Sequence, residues 1–363
     1  MRWALSIGCL LGALLPVQLM GVQLSLAETG SINDAALMAK KPAKKLSEYG
    51  LFIDAGGREP SNRVVPYDLS NPLFTDYAAK FRYVYVPKGA SAAPYQEEDA
   101  LNFPVGSVLI KNFAYPESFK HPDEKVRLIE TRLLIHKPEG WKAYPYVWDE
   151  EQSEAVLKVA GKRLKIPVEW KNGDKAFIDY AVPNVNQCKG CHTNAKKKFT
   201  PIGPKVRNLN KEFGYPVGGV QNQLDYLKDL GYLGGEYQSP AKSPSVPDPF
   251  NAAEGDLNSR ARSYLDGNCA HCHSPGRPAD TSGLYLDYTE NRPVHWGRNK
   301  PPVAAGRGSG GLEVDIRPGE PDQSILLYRM KSTDPGIMMP ELGRALRHEE
   351  GIKLVEDFIR ELE

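Results

Sequence analysis

Cys188-Lys189-Gly190-Cys191-His192 and, 81 residues further on, Cys269-Ala270-His271-Cys272-His273 are two copies of one pattern, C-x-x-C-H. Together they use every cysteine of the chain except Cys9. A chain with five cysteines and seven histidines among 363 residues rarely produces one such pattern by chance, and two far more rarely. The spacing has a chemical reading. Two thiols three positions apart on one helical turn reach the two vinyl groups of a heme and form thioethers, and the histidine that follows ligates the iron. Zinc also accepts Cys and His, but the separation of the pairs far exceeds the roughly 15 to 20 residues of a zinc loop, and zinc does not call for histidine directly after the second cysteine. A thioredoxin-like redox pair would sit in a βαβ context that is not evident. Two structural disulfides suit an oxidising compartment, although cysteines this close usually pair with distant ones. The pattern therefore predicts two covalently attached heme c groups. Cys188, Cys191, Cys269 and Cys272 are the expected attachment points, and His192 and His273 the expected iron ligands.

The start of the chain fits that chemistry. Residues 1–27 carry one charged side chain, Arg2, followed by an apolar stretch from Trp3 to Leu26 and the small-residue pattern Ser25-Leu26-Ala27. This reads as an export signal cleaved after Ala27, with an uncleaved anchor as the alternative, and places the body of the protein in the periplasm. Without the signal, 45 basic side chains face 45 acidic ones. That balance gives no basic footprint for nucleic acid. With 41% apolar and 25% charged residues and no second long apolar run, no stable membrane insertion is expected once the signal is gone.

The motifs divide the mature chain. Residues 28–48 are polar, with lysines at positions 40, 41, 44 and 45, and read as a mobile arm. Residues 49–238 form the expected first domain, β-rich and antiparallel, built from six short runs: Phe81 to Val86, Val105 to Ile110, Val126 to Ile135, Trp141 to Trp148, Ala155 to Val159 and Ala176 to Ala181. The first motif follows these runs, and a helix over residues 220–230 carries Leu224, Leu227 and Leu230 on one face as cover for a heme. A Pro and Ser cluster makes residues 239–252 a linker. Residues 253–363 are expected to be an all-α, cytochrome c-like domain, with helices over 254–268, 321–332 and 347–362. The expected fold class is thus α+β and multidomain. Between its last two helices lies Gly336-Ile337-Met338-Met339-Pro340, a loop able to offer a thioether sulfur to iron.

The C-terminal part resembles class I cytochrome c, and the mature chain as a whole resembles a family of exported diheme c-type cytochromes of largely unassigned role. The resemblance rests on Tyr67-Asp68-Leu69, on Leu73 to Ala78, on Glu130 to Leu134, on Asn222-Gln223-Leu224, on Pro318 to Asp322 and on Met338 to Arg344. By analogy with the Met-Pro element of cytochromes c, Met339 is the expected sixth ligand of the second iron and Met338 its packing neighbour. The distal position of the first iron stays open between a vacancy, His121, His136 or another group. A short stretch from Phe103 to Lys111 is similar to hydroxylamine-oxidising cytochromes whose heme is crosslinked to a lysine, while the plain reading of Lys111 is a strand lysine facing solvent.

Two functions follow as expectations. The favoured one is an electron carrier that passes electrons between redox partner proteins through two hemes. The alternative is an oxidoreductase whose first heme is pentacoordinate and reacts with peroxide or a small nitrogen compound. No Ser-His-Asp set, P-loop or dinucleotide fingerprint points to other catalysis.

Overall fold

Between Val64 and Leu157, β-branched and aromatic residues alternate with polar ones, the pattern of strands that bury one face against a core. In the computed structural model, which describes residues 31–194, 196–303 and 306–363, these segments build one sheet. The export segment expected over residues 1–27 lies outside the described residues. The chain forms β1 (Val64–Tyr67) and β2 (Ala79–Tyr85), makes a short β3 (Ala93–Pro94), and continues through β4 (Val108–Tyr115), β5 (Arg127–Lys137), β6 (Gly140–Trp148) and β7 (Ala155–Leu157). Sheet order is β1-β2-β4-β5-β6-β7, antiparallel throughout. Strand β3 pairs instead, in parallel, with β12 (Leu233–Gly234).

The two faces of this sheet do different things. Tyr83, Tyr85, Val108, Ile110, Leu133 and Tyr146 point to one face and pack with Leu37, Leu46, Tyr49 and Leu51. Leu37 lies on α1 (Asp34–Met38), a single turn and a half capped by the Asn33 side chain, and is fully buried. The Tyr49 and Tyr146 hydroxyls meet at 3.0 Å, and the Lys137 ammonium donates to the Leu37 and Ala39 carbonyls. The stretch read as a mobile arm is therefore packed from Ser31 onward, because Leu37, Leu46 and Tyr49 find a sheet face to cover.

The opposite face carries Val84, Leu109 and Trp141, covered by Leu101, Phe103 and residues of α3 (Val206–Leu209) and α4 (Gln223–Asp229). Leu224 and Leu227 are buried in this core, but Leu230 is exposed, and residues 219–222 belong to a small hairpin of β10 (Glu212–Tyr215) and β11 (Gly219–Asn222). A second hairpin, β8 (Lys162–Glu169) with β9 (Lys175–Val182), packs Val168, Ile178, Tyr180 and Val182 on Phe113, Tyr115 and Val147. It runs directly into α2 (Val185–Cys191), which starts on a capping box in which Asn184 and Gln187 exchange side chain to backbone bonds.

The expected all-α domain is not what residues 253–363 form. Among the described residues the chain has seven α-helices, none longer than thirteen residues, and its dominant element is the six-stranded sheet. The C-terminal residues contribute α5 (Leu257–Asn268), α6 (Ile325–Lys331) and α7 (Glu349–Glu361) around a core of Leu265, Leu327, Val355, Phe358 and Ile359, with turns and 3-10 segments between them. The physical reason is composition. Between His273 and Pro321 the chain holds Gly and Pro at frequent intervals, and seven glycines there take positive φ, which no helix tolerates.

This region is also not set apart from the sheet. Asn71 donates to the Ser263 carbonyl at 2.9 Å and to Asp266 at 3.2 Å, the Phe74 amide donates to Asn268 at 2.8 Å, and Asp76 accepts from the Ala345 and Leu346 amides at 2.8 Å each. His348, at the start of α7, stacks on Phe74 at 4.1 Å and bonds the Tyr264 hydroxyl at 3.1 Å.

Two outcomes follow from this packing. Leu37→Ala should lower unfolding free energy by about 2–5 kcal/mol, measured by denaturant titration, whereas a dangling arm would show no change. Burial lowers His348 to about 4 from its ordinary value, so the unfolded chain binds more protons between about pH 6.5 and 4 and stability drains as pH falls through that window. His348→Phe should lose less stability than the parent across the same window, so that the gap between the two proteins narrows on acidification.

Candidate functional site

Helix α2 presents Cys188 and Cys191 on one turn, and His192 is its C-cap. The His192 Nδ1 sits 2.8 Å from the Thr200 carbonyl, which fixes Nδ1 as the protonated nitrogen and leaves Nε2 with a lone pair. Its ring stacks on Phe199 at 4.8 Å with planes 1° apart. Burial lowers His192 to about 3, so it remains neutral, as a metal ligand must.

The second motif begins where α5 ends, with Cys269 as its C-cap. The following turn carries Cys272 and His273, whose Nδ1 lies 3.4 Å from the Ser282 hydroxyl. Burial lowers His273 to about 4, opposed by a backbone bond at Leu284.

The fold brings the two motifs together. The donor atoms of Cys191, His271 and Cys272 all lie within 4.8 Å of one another, and the Cys272 sulfur lies 3.9 Å from the Gly190 carbonyl. Cys191 is drawn down to about 4, chiefly by a hydrogen bond with Cys272, and Cys272 is pushed up by the same bond: the pair shares one proton. His271 Nδ1 is buried without a hydrogen-bond partner among the described residues. Distance along the chain is thus no argument against a metal held between the motifs. As a structural zinc site this trio falls one ligand short of four and leaves Cys188, Cys269, His192 and His273 unused, although two thiolates and one imidazole with an open fourth position match a catalytic zinc.

Each motif heads its own cavity. The first, of about 360 Å³, is lined by Cys188, Cys191 and His192 and by Leu109, Lys111, Arg132 and Leu134 of the sheet. The second, of about 600 Å³, is lined by Cys269, Cys272 and His273 with Leu284, Leu286, Leu326, Met330 and Met339. Both volumes fall in the range of small-molecule and cofactor pockets. Cys191, His271, Glu341 and Leu342 line both, so the cavities adjoin.

The remaining candidates separate. Met339 lines the second cavity, its loop held by the Arg344 guanidinium on the Met339 carbonyl at 2.8 Å. Met338, expected as packing neighbour of Met339, lines the first cavity instead. His121 is an exposed loop residue 4.0 Å from Glu124, and His136 is pinned by the Phe103 carbonyl at 2.7 Å and stacked on Trp141 at 4.6 Å. Neither lines either of these two cavities. Leu224 and Leu227 pack in a sheet core rather than over a motif. Lys111, read as facing solvent, stands on the first cavity wall, and Arg82, Arg132 and His271 join it without having been singled out. The signal for the two arginines was strand alternation: Arg82 and Arg132 occupy the same parity as buried apolar neighbours.

Beside the first cavity, Arg207 is buried between Asp266 at 2.7 Å and Asp287 at 2.8 Å, with Lys205 within 3.5 Å of the same two carboxylates. The two carboxylates raise Arg207 against the effect of burial. Comparisons with protein-family models, with curated proteins and with solved structures find no match.

Removing one member of a buried pair strands the other, so Arg207→Met should cost about 3–5 kcal/mol in denaturant unfolding. A loss below 1 kcal/mol would show that Lys205 alone neutralises both carboxylates.

Proposed function

We propose that the protein is an exported diheme c-type cytochrome that transfers electrons between redox partner proteins through two covalently attached hemes. The observation that carries this is the adjacency of two C-x-x-C-H motifs, each heading a cavity of its own. The residues fit the group. Cys188 with Cys191, and Cys269 with Cys272, offer paired sulfurs at the right spacing, and buried His192 and His273 each keep a neutral imidazole toward a cavity. Met339 stands in the second cavity as the thioether donor, which favours a higher potential than a second histidine would.

When bound, heme supplies a one-electron iron couple at each site. The protein's own contribution is placement. Cys191 and Cys272, whose sulfurs lie within 4.8 Å of each other, would each hold one of two neighbouring hemes, which would supply one-electron couples side by side. Leu284, Leu286, Leu326 and Met330 give the second site an apolar wall beside its charged residues Lys300, Asp315 and Arg329.

A second reading, an oxidoreductase with an open first iron, is favoured by one finding. His121 and His136, two of the candidate groups for closing that iron, do not line its cavity, although His271 and Met338 do.

Heme counted per chain in protein purified from an export-competent host, with zinc measured in the same sample, tests the assignment. Two hemes and no zinc are expected, and zinc without heme would overturn it. Carbon monoxide added to the reduced protein then separates the readings: an unchanged spectrum supports the relay, and a response from about half of the heme supports an open first iron. In the second case Met339→Ala should extend the response to nearly all of the heme.

A further inference from the structure

Strand register places three cations in one row across the sheet. Arg82 on β2 pairs with Lys111 on β4, and Lys111 pairs with Arg132 on β5. Directly paired residues project from the same face, and like charges so placed destabilise a sheet. All three line the first cavity. Burial of charge adds a desolvation cost to the repulsion.

The ends of the row are neutralised within the protein. Arg82 holds Asp68 at 2.8 Å. Arg132 makes a two-pronged contact with Glu130, both at 2.8 Å, and Glu130 is itself fully buried and accepts from the Tyr180 hydroxyl at 2.7 Å. The centre is not neutralised. Among the described residues no carboxylate lies within ion-pair reach of Lys111, whose ammonium nitrogen stands 4.9 Å from the centre of the Phe113 ring. Lys80, two residues before Arg82 on β2, turns to the Ala78 carbonyl at 3.1 Å. Burial, reinforced by Arg82, Lys80 and Arg132, pushes the Lys111 amine well below its usual range, so without a partner it tends to give up its proton, and an anion seated beside it would keep the proton on. A row whose flanks are paired and whose centre opens onto a cavity is a receptor for negative charge.

We propose that Arg82, Lys111 and Arg132 form an anion site in the first cavity, holding a carboxylate or small oxyanion against Lys111 on the sheet wall of the cavity that His192 also lines. The site rests on the heme reading only for its neighbour. Its occupant is either a propionate of a heme in the same cavity or a free oxyanion of nitrite size, and the chemistry of recognition is shared.

The test compares the parent protein with Lys111→Met and Lys111→Arg, heme being counted in each before anything else is measured. If the occupant is a free oxyanion, nitrite perturbs the absorption of the oxidised first heme in the parent. Lys111→Met then weakens that binding about tenfold or more, the worth of a charged hydrogen bond, and Lys111→Arg retains it. If the occupant is a propionate, nitrite has no effect, while Lys111→Met shifts the midpoint potential of the first heme and Lys111→Arg does not. Two hemes per chain with neither nitrite binding nor a potential shift dependent on Lys111 would overturn the site. Should no heme attach, the proposed function fails by itself, and the site is then read from thermal stabilisation by nitrite, present in the parent and lost in Lys111→Met; its absence overturns the site as well.

Discussion

The arrangement of this protein depends on a close approach between Asn71 and α5. The Asn71 carbonyl oxygen occupies the space that a Cβ at residue 267 would take, so only glycine allows the loop after β1 to lie on the end of the helix. Around that contact, Asn71 bonds the Ser263 carbonyl and Asp266, Phe74 bonds Asn268, and Arg207 joins Asp266 to Asp287. Cys269 follows Asn268 directly. The seam that fastens α5 to the sheet therefore also sets where the second motif stands relative to the first. These directional bonds specify one orientation where apolar packing alone would tolerate several, even though the Asn71 Oδ1 has no partner among the described residues.

The sheet works as a partition. One face is closed by α1 and the aromatic residues around Tyr49 and Tyr146, a conventional core with its hydroxyls paired. The other face is divided between an apolar region around Leu109 and Trp141 and the charged wall of the first cavity. Like charges in register oppose folding, and the sheet carries them with two of the three paired to carboxylates and with Tyr83, Ile110 and Leu133 buried on its reverse face. The strand pattern that places Val84 and Leu134 in apolar surroundings places Arg82 and Arg132 two residues away on the cavity wall, so stability and site are written in the same alternation.

Much of this was legible in the chain. The runs beginning at Phe81, Val105, Val126, Trp141, Ala155 and Ala176 each overlap a strand, the Val105 run only at the start of β4, because period-two alternation is a local signal. The hairpin partner β8 escaped because Lys162 to Glu169 is mostly polar on its accessible side. The C-terminal region was read too regularly: apolar spacing at Ile352, Val355 and Ile359 is local and found α7, but the turns between His273 and Pro321 contain little periodicity to read. The contacts that define the site are of another kind. That Cys191 should meet Cys272, that Met338 and Met339 should face different cavities, and that Lys111 should look inward are outcomes of tertiary packing between segments far apart in sequence. No local pattern encodes them. The motifs themselves needed no packing to be recognised, since their chemistry lies in adjacent residues.

The shared position of Cys191 and Cys272 bears on the order in which the protein is made. In an oxidising compartment, two thiols this near would join to each other with little movement of the backbone. Such a bond would consume one cysteine from each motif at once. On the proposed function, maturation is then a race between modification and closure: the cysteines must be claimed while the chain is still open, and a chain that folds first reaches the right shape with its chemistry already spent.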